Sequence, residues 1–182
     1  MRFATIARGS AGLGFLLLLA VECWAKEGGG PSPTNIRVVH AAPWSEGDPA
    51  REGAAELVVL VEIARLELQH SCGGLIAVGD RRGLFSAGAE EALRQAVLHG
   101  LPVVKLARAG EVLAAPHGLF INGGSLSEGE AQRVLVRCLA HFGALPGLKS
   151  PTDESAALKL HDQLLRFQTE FSLAAGTRLA AR

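Results

Sequence analysis

The chain has 182 residues, 48% of them hydrophobic and 20% charged, which is enough apolar material for a buried core and too little charge for a disordered polyelectrolyte. Eighteen Lys and Arg balance eighteen Asp and Glu, and no local basic run offsets that balance, which argues against nucleic acid or an anionic surface as a partner.

The first residues carry the three parts of a secretory signal: Arg2 and Arg8, an apolar run over 11–21, and Cys23-Trp24-Ala25 ahead of a cut after Ala25. The run is shorter than the roughly twenty apolar residues of a membrane span, so export to the periplasm or the extracellular space is expected rather than anchoring. Cys23 does not make a lipidation site, because Glu22 precedes it where a small residue is required. Residues 26–34 (KEGGGPSPT) hold nothing to bury and read as a flexible leader.

A domain is expected over 35–175. Its first strand is the β-branched run 36–41, closed by Pro43. Asp48-Pro49 then opens a helix over 50–69. The centre of that stretch, 57–61, is β-branched enough for a strand, but its length and the Glu62/Arg65 pair favour helix. Gly73-Gly74 introduces Leu75-Ile76-Ala77-Val78, the continuous apolar run of a strand covered on both faces, and a turn follows over 79–83. From 87 to 99, Ala89, Leu93, Ala96 and Val97 share one helical face, Glu90 and Arg94 pair at i,i+4, and Gly100 stops the helix. Residues 101–106 form the third strand. An edge arm over 110–113 and a short strand over 119–122 come next. Ser125 with Glu128, or Ser127 with Glu130, offers a capping box to a helix whose buried face is Ala131, Leu135, Cys138, Leu139 and Phe142. A last helix opens at Ser150-Pro151 with Ala157, Leu160, Leu164, Phe167 and Phe171 as its stripe, and fraying is expected from Phe171, leaving 176–182 as a tail. Alternating strands and helices predict an α/β fold, a small three-layer sandwich with a mainly parallel sheet of about four strands and helices on both faces.

Three stretches, in this order and spacing, resemble the smaller C-terminal domain of the bacterial L-asparaginase/glutaminase family. They are Gly74-Leu75-Ile76-Ala77-Val78-Gly79, Ala92-Leu93-Arg94-Gln95-Ala96 running into Gly100-Leu101-Pro102-Val103-Val104, and Gly124-Ser125-Leu126-Ser127 running to Ala131. The resemblance spans about 35–145 and implies a domain that normally packs against a larger catalytic lobe and against other subunits. Once the first 25 residues are removed, the chain is too short for both lobes. It is therefore expected to be a stand-alone, non-catalytic binding or accessory module, whose partner is a second copy or a separately encoded N-terminal lobe. The alternative is an asparagine or glutamine amidohydrolase acting alone or with that lobe. The resemblance also implies an asparagine in the turn after the second strand, but here that turn reads Gly79-Asp80-Arg81-Arg82-Gly83. Gly73-Gly74-Leu75-Ile76-Ala77 resembles the family's nucleophile signature, with Leu75 in the threonine's place, and an alkyl side chain attacks nothing.

The candidate ligand contacts are Asp80, Arg81 and Arg82 at a strand's carboxyl end, where paired guanidiniums can grip a carboxylate or phosphate, and a small carboxylate or amide is the expected ligand; the same turn also reads as a solvated charged loop. Asn122 and Ser125 either face the same crevice or set up their own turn. Ser86 lacks the glycine two residues earlier that a nucleophile elbow needs and reads as a helix cap. The histidines at 40, 70, 99, 117, 141 and 161 have no metal-ligand spacing, and no phosphate loop or dinucleotide fingerprint is present, so no cofactor is implied. In an oxidising compartment Cys72 and Cys138 can pair if their Cα atoms lie within about 7 Å; otherwise they act as two small buried hydrophobes.

Overall fold

A computed structural model describes residues 35–41, 60, 61, 64, 72–80, 83–108, 118–148, 150 and 152–180. Four strands, β1 (Ile36–His40), β2 (Gly74–Val78), β3 (Val103–Leu106) and β4 (Ile121–Asn122), lie side by side in chain order, and every neighbouring pair is parallel. Three helices have defined bounds: α1 (Ala87–Leu98), α2 (Glu128–Phe142) and α3 (Glu154–Ala180). Leu60, Val61 and Ala64 are also helical, in keeping with the helix expected over 50–69. The edge arm expected over 110–113 lies outside the described residues.

The register fixes which helix covers which face. Ala77, Lys105 and Asn122 are partners across β2, β3 and β4, and Lys105 reaches Glu90 on α1, so this row faces α1. Gly74 and Ile36 belong to the alternate row, and a Cβ on Gly74 would meet Leu135 of α2. On that same face His40 lies 3.7 Å from Glu128 at the start of α2. Because successive residues of a strand point to opposite faces, α1 and α2 cover opposite sides of the sheet. This is the three-layer α/β arrangement, and it explains why β2 and β3 are buried throughout.

Packing follows the sequence pattern closely on α1, where the buried residues are Ala89, Leu93, Ala96 and Val97. Ser86 accepts from Ala89 N (3.2 Å) as the helix cap. On α2 the cap is the Ser127/Glu130 box, and Val134 joins Ala131, Leu135, Cys138 and Leu139 on the sheet side. Phe142 is only half-buried and lies 5.8 Å from the ring of Phe167. Leu160, Leu164, Phe167 and Phe171 form the inward stripe of α3.

Three local expectations are corrected. Arg94 pairs with Glu91 at i,i+3 (2.7 Å) rather than with Glu90, because Glu90 is taken by Lys105. The last helix begins at Glu154 with Asp153 accepting from Ala156 N (3.0 Å), since a carboxylate there satisfies the first-turn donors better than Ser150 can from further upstream; Ala157, in that first turn, is exposed. Finally, α3 runs unbroken to Ala180, past Phe171 where the buried stripe ends.

Two polar devices hold the layers. Lys105, 7% exposed in β3, is gripped through both oxygens of Glu90 (2.7 and 2.8 Å), with the rings of Phe120 (4.9 Å) and Phe85 (5.7 Å) around its Nζ. At the sheet edge, Gln168 of α3 uses its side-chain amide as a neighbouring strand would: its Oε1 accepts from Asn122 N (2.7 Å) and its Nε2 donates to Asn122 O (3.4 Å). Glu90→Ala strips the carboxylate from a buried ammonium and is expected to lower stability by about 1–3 kcal/mol, the partial exposure of Glu90 keeping the loss below that of a fully buried pair. The double variant Lys105→Met/Glu90→Leu is expected to recover most of that loss in urea denaturation, and a double variant as unstable as Glu90→Ala would disprove the desolvation account.

Candidate functional site at the carboxyl edge

The carboxyl ends of the strands gather the sequence-predicted candidates. The chain leaves β2 toward α1 on one face and leaves β4 toward α2 on the other. Loops that diverge in this way flank the end of β3, the position at which α/β sheets commonly hold small molecules.

The β2 side is a tight loop. Asp80 N donates to Leu84 O (3.0 Å), and Leu84 N donates to the Asp80 carboxylate at Oδ1 (2.8 Å). Gly83 N donates back to Asp80 O (3.0 Å). The loop folds so closely on itself that a Cβ on Gly79 would overlap the backbone of Gly83, so glycine is required there. Asp80 is thus partly committed to holding its own turn. Arg81 and Arg82, the paired guanidiniums of the sequence reading, lie outside the described residues.

Arg108, at the end of β3, was missed as a candidate. Its N donates to Asp80 O (2.9 Å), its Nη2 donates to Ala41 O (3.3 Å), and the residue is exposed. It therefore bridges the ends of β1, β2 and β3 with a cation that still meets solvent. The sequence signal was faint: one Arg directly after an apolar strand, without a glycine turn to advertise it.

On the β4 side, Asn122 serves mainly the turn. Asn122 Oδ1 accepts from Gly124 N (2.8 Å), and Leu126 N donates to Gly123 O (3.2 Å). Gly124 has a φ of 59°, which calls for glycine in the turn, while a Cβ on Gly123 would press on the end of the Leu106 side chain in β3. Ser125 is half-buried within the turn. The structure therefore places Asp80 and the Asn122–Ser125 turn on either side of β3, with Arg108 adjoining Asp80.

The edge carries charges of both signs. The N-termini of α1 and α2 both open onto it, each with a partial positive charge, and Arg108 adds a full one. Glu128 and Asp80 oppose this, Glu128 facing His40 at 3.7 Å. Two of the hydroxyls are in structural use: Ser86 caps α1, and Ser127 Oγ donates to Glu130 Oε2 (2.6 Å) within its capping box. Among the described residues, no cluster of three or more His, Cys, Asp or Glu is placed to hold a metal ion, and no helix is long and apolar enough to cross a membrane.

The thiols lie away from this edge. Cys72 and Cys138 are buried and free, so the pairing that export permits is not made. Cys72 Sγ donates to Gly74 O (2.9 Å), and Cys138 is packed into the sheet-facing stripe of α2. Burial raises both thiols, and burial with the nearby Glu170 carboxylate pushes Cys138 up to about 11.

Compared with protein-family models, with curated proteins and with solved structures, the chain gives no match.

Because only thiolate reacts, iodoacetamide at pH 8 is expected to label Cys138 about a hundredfold more slowly in the folded protein than after denaturation, with Cys72 also slowed. Peptide mapping by mass spectrometry reads both sites, and rapid native labelling of Cys138 would contradict its assigned environment.

Proposed function

We propose that this chain is an exported, non-catalytic α/β module that binds a small carboxylate-bearing ligand, an acid or its amide, at the carboxyl edge of its sheet. Its resemblance to the asparaginase/glutaminase C-terminal domain supplies the class of ligand, and the periplasm or extracellular space is its place of action. The observation that carries the binding role is Arg108, an exposed guanidinium pinned by its backbone to Asp80 and by its side chain to Ala41, beside the loop that carries Arg81 and Arg82. A guanidinium held in this way presents donors to a carboxylate with little further ordering cost.

The non-catalytic part is supported by the duties of two of the serines near the edge. Ser86 and Ser127 cap helices, and Ser125 is folded into a glycine turn. A serine that gives up a cap to act as a nucleophile costs about 1 kcal/mol of helix stability and still needs a base to activate it.

Thermal unfolding with L-aspartate, L-asparagine and L-glutamine tests the binding role. A ligand at a hundred times its Kd is expected to add about 2.7 kcal/mol of stability, an effect lost in Arg108→Ala and reduced in the double variant Arg81→Ala/Arg82→Ala. No stabilisation by any of the three, or equal stabilisation of Arg108→Ala, removes this reading. An ammonia assay with asparagine and glutamine separates binding from hydrolysis. Background release is expected, and sustained turnover abolished by replacing a single serine would establish the amidohydrolase alternative.

A further inference from the structure

The outer face of α3 carries a second surface, which stands on the helix's own geometry and is independent of what occupies the carboxyl edge. While Leu160, Leu164, Phe167 and Phe171 point inward, Leu158, Leu165 and Leu173 are 70%, 53% and 62% exposed. At about 100° per residue these three fall within an arc of roughly 80°, opposite the buried stripe. Asp162 and Thr169, both exposed, share the arc, and Asp162 pairs with Arg166 at 2.7 Å on its flank. Large aliphatic side chains lined up on a solvent face, inside a charged frame, mark an interaction surface.

The order of these residues says what fits it. Leu158 and Leu173 lie about two turns on either side of Leu165, and opposite charges sit together near the middle. An isologous interface requires a patch complementary to itself after a half-turn rotation, a condition that a foreign partner does not impose. We propose that this face is a two-fold interface with a second copy of the same chain, α3 lying antiparallel on α3. Leu165 of each copy sits near the axis. Leu158 of one copy covers Leu173 of the other, and Asp162 of each reaches Arg166 of the other, so the four charges alternate across the seam. A half-turn about such an axis brings like sides together. Leu173 of the second copy therefore comes down on the side of a groove of about 290 Å³, lined by Phe142, Pro146, Lys159, Asp162, Gln163 and Arg166. The apolar patch is smaller than the roughly 800 Å² per partner of a standard interface, so the dimer is weak and depends on concentration.

Sedimentation equilibrium of the purified chain over about 1–200 μM is expected to show a monomer–dimer equilibrium. Leu165→Glu puts two carboxylates at the axis and is expected to yield monomer with an unchanged circular dichroism spectrum and melting temperature, because Leu165 is exposed. Asp162→Arg and Arg166→Asp are each expected to weaken association by about tenfold or more, and the combined swap, which restores opposite charges, to recover it. Leu165→Cys is expected to give a disulfide-linked dimer under mild oxidation. The proposal is overturned by a chain that stays monomeric throughout, including one whose outer α3 face is protected from hydrogen exchange by another segment of the same chain. A dimer indifferent to Leu165→Glu, or single charge variants that the swap does not rescue, overturns it equally.

Discussion

The sheet depends on one charge placed where charge is costly. Lys105 sits in the middle of a strand whose neighbours are all buried, and an ammonium there is tolerated only if a carboxylate is brought to it. Glu90 is that carboxylate, and meeting it fixes how α1 is rotated on the sheet and how far along β3 its first turn lies. Phe85, in the loop entering α1, and Phe120, at the entrance to β4, close over the same Nζ. One ammonium thus ties together the loop after β2, the start of α1 and the approach to β4. An apolar residue at 105 would pack as well, but in several rotations. The ion pair contributes specificity of arrangement more than stability.

The opposite problem, unsatisfied backbone at a sheet edge, is met by α3. With two residues, β4 is short, and its outer side would leave peptide groups open to further strand pairing. The Gln168 amide supplies the donor and acceptor that a fifth strand would bring, and Phe167 and Phe171 anchor the helix that carries it. A second glutamine, Gln163, directs its Nε2 to the carbonyls of Phe142, Gly143 and Ala144, 2.9–3.0 Å away, where α2 runs out of helical partners. The long helix is therefore structural on its inner face along most of its length.

Elements whose periodicity is set by a single packing partner were legible in the sequence. The buried face of α1 could be read residue by residue, as could the parallel strand at Leu75–Val78, because each follows from spacing alone, while spacing left Ser125/Glu128 and Ser127/Glu130 as two capping boxes of which the fold uses the second. What could not be read depended on residues distant in the chain. Glu90 has a good local partner in Arg94, and nothing nearby announces that Lys105, fifteen positions on, outbids it. Gln168 and Gln163 read as ordinary polar positions on a helix until their targets in β4 and α2 are in place. For the carboxyl edge, Asp80, Asn122 and Ser125 were visible as turn residues because turn chemistry is local. Arg108 was not, because its role comes from three strands ending side by side.

That contrast bears on what the edge can do. The residues that stand out in the sequence are those the fold already uses: Asp80 braces its own loop, Asn122 holds Gly124, and Ser86 and Ser127 start helices. A hydrolase built here would have to withdraw one of these groups from a turn or a cap and supply a base for it, trading local stability for reactivity. A binding site asks for less. It needs donors that are fixed but still face solvent, and both helix N-termini and the Arg108 guanidinium meet that condition without dismantling anything. On that ground the proposed binding role asks less of the fold than hydrolysis would.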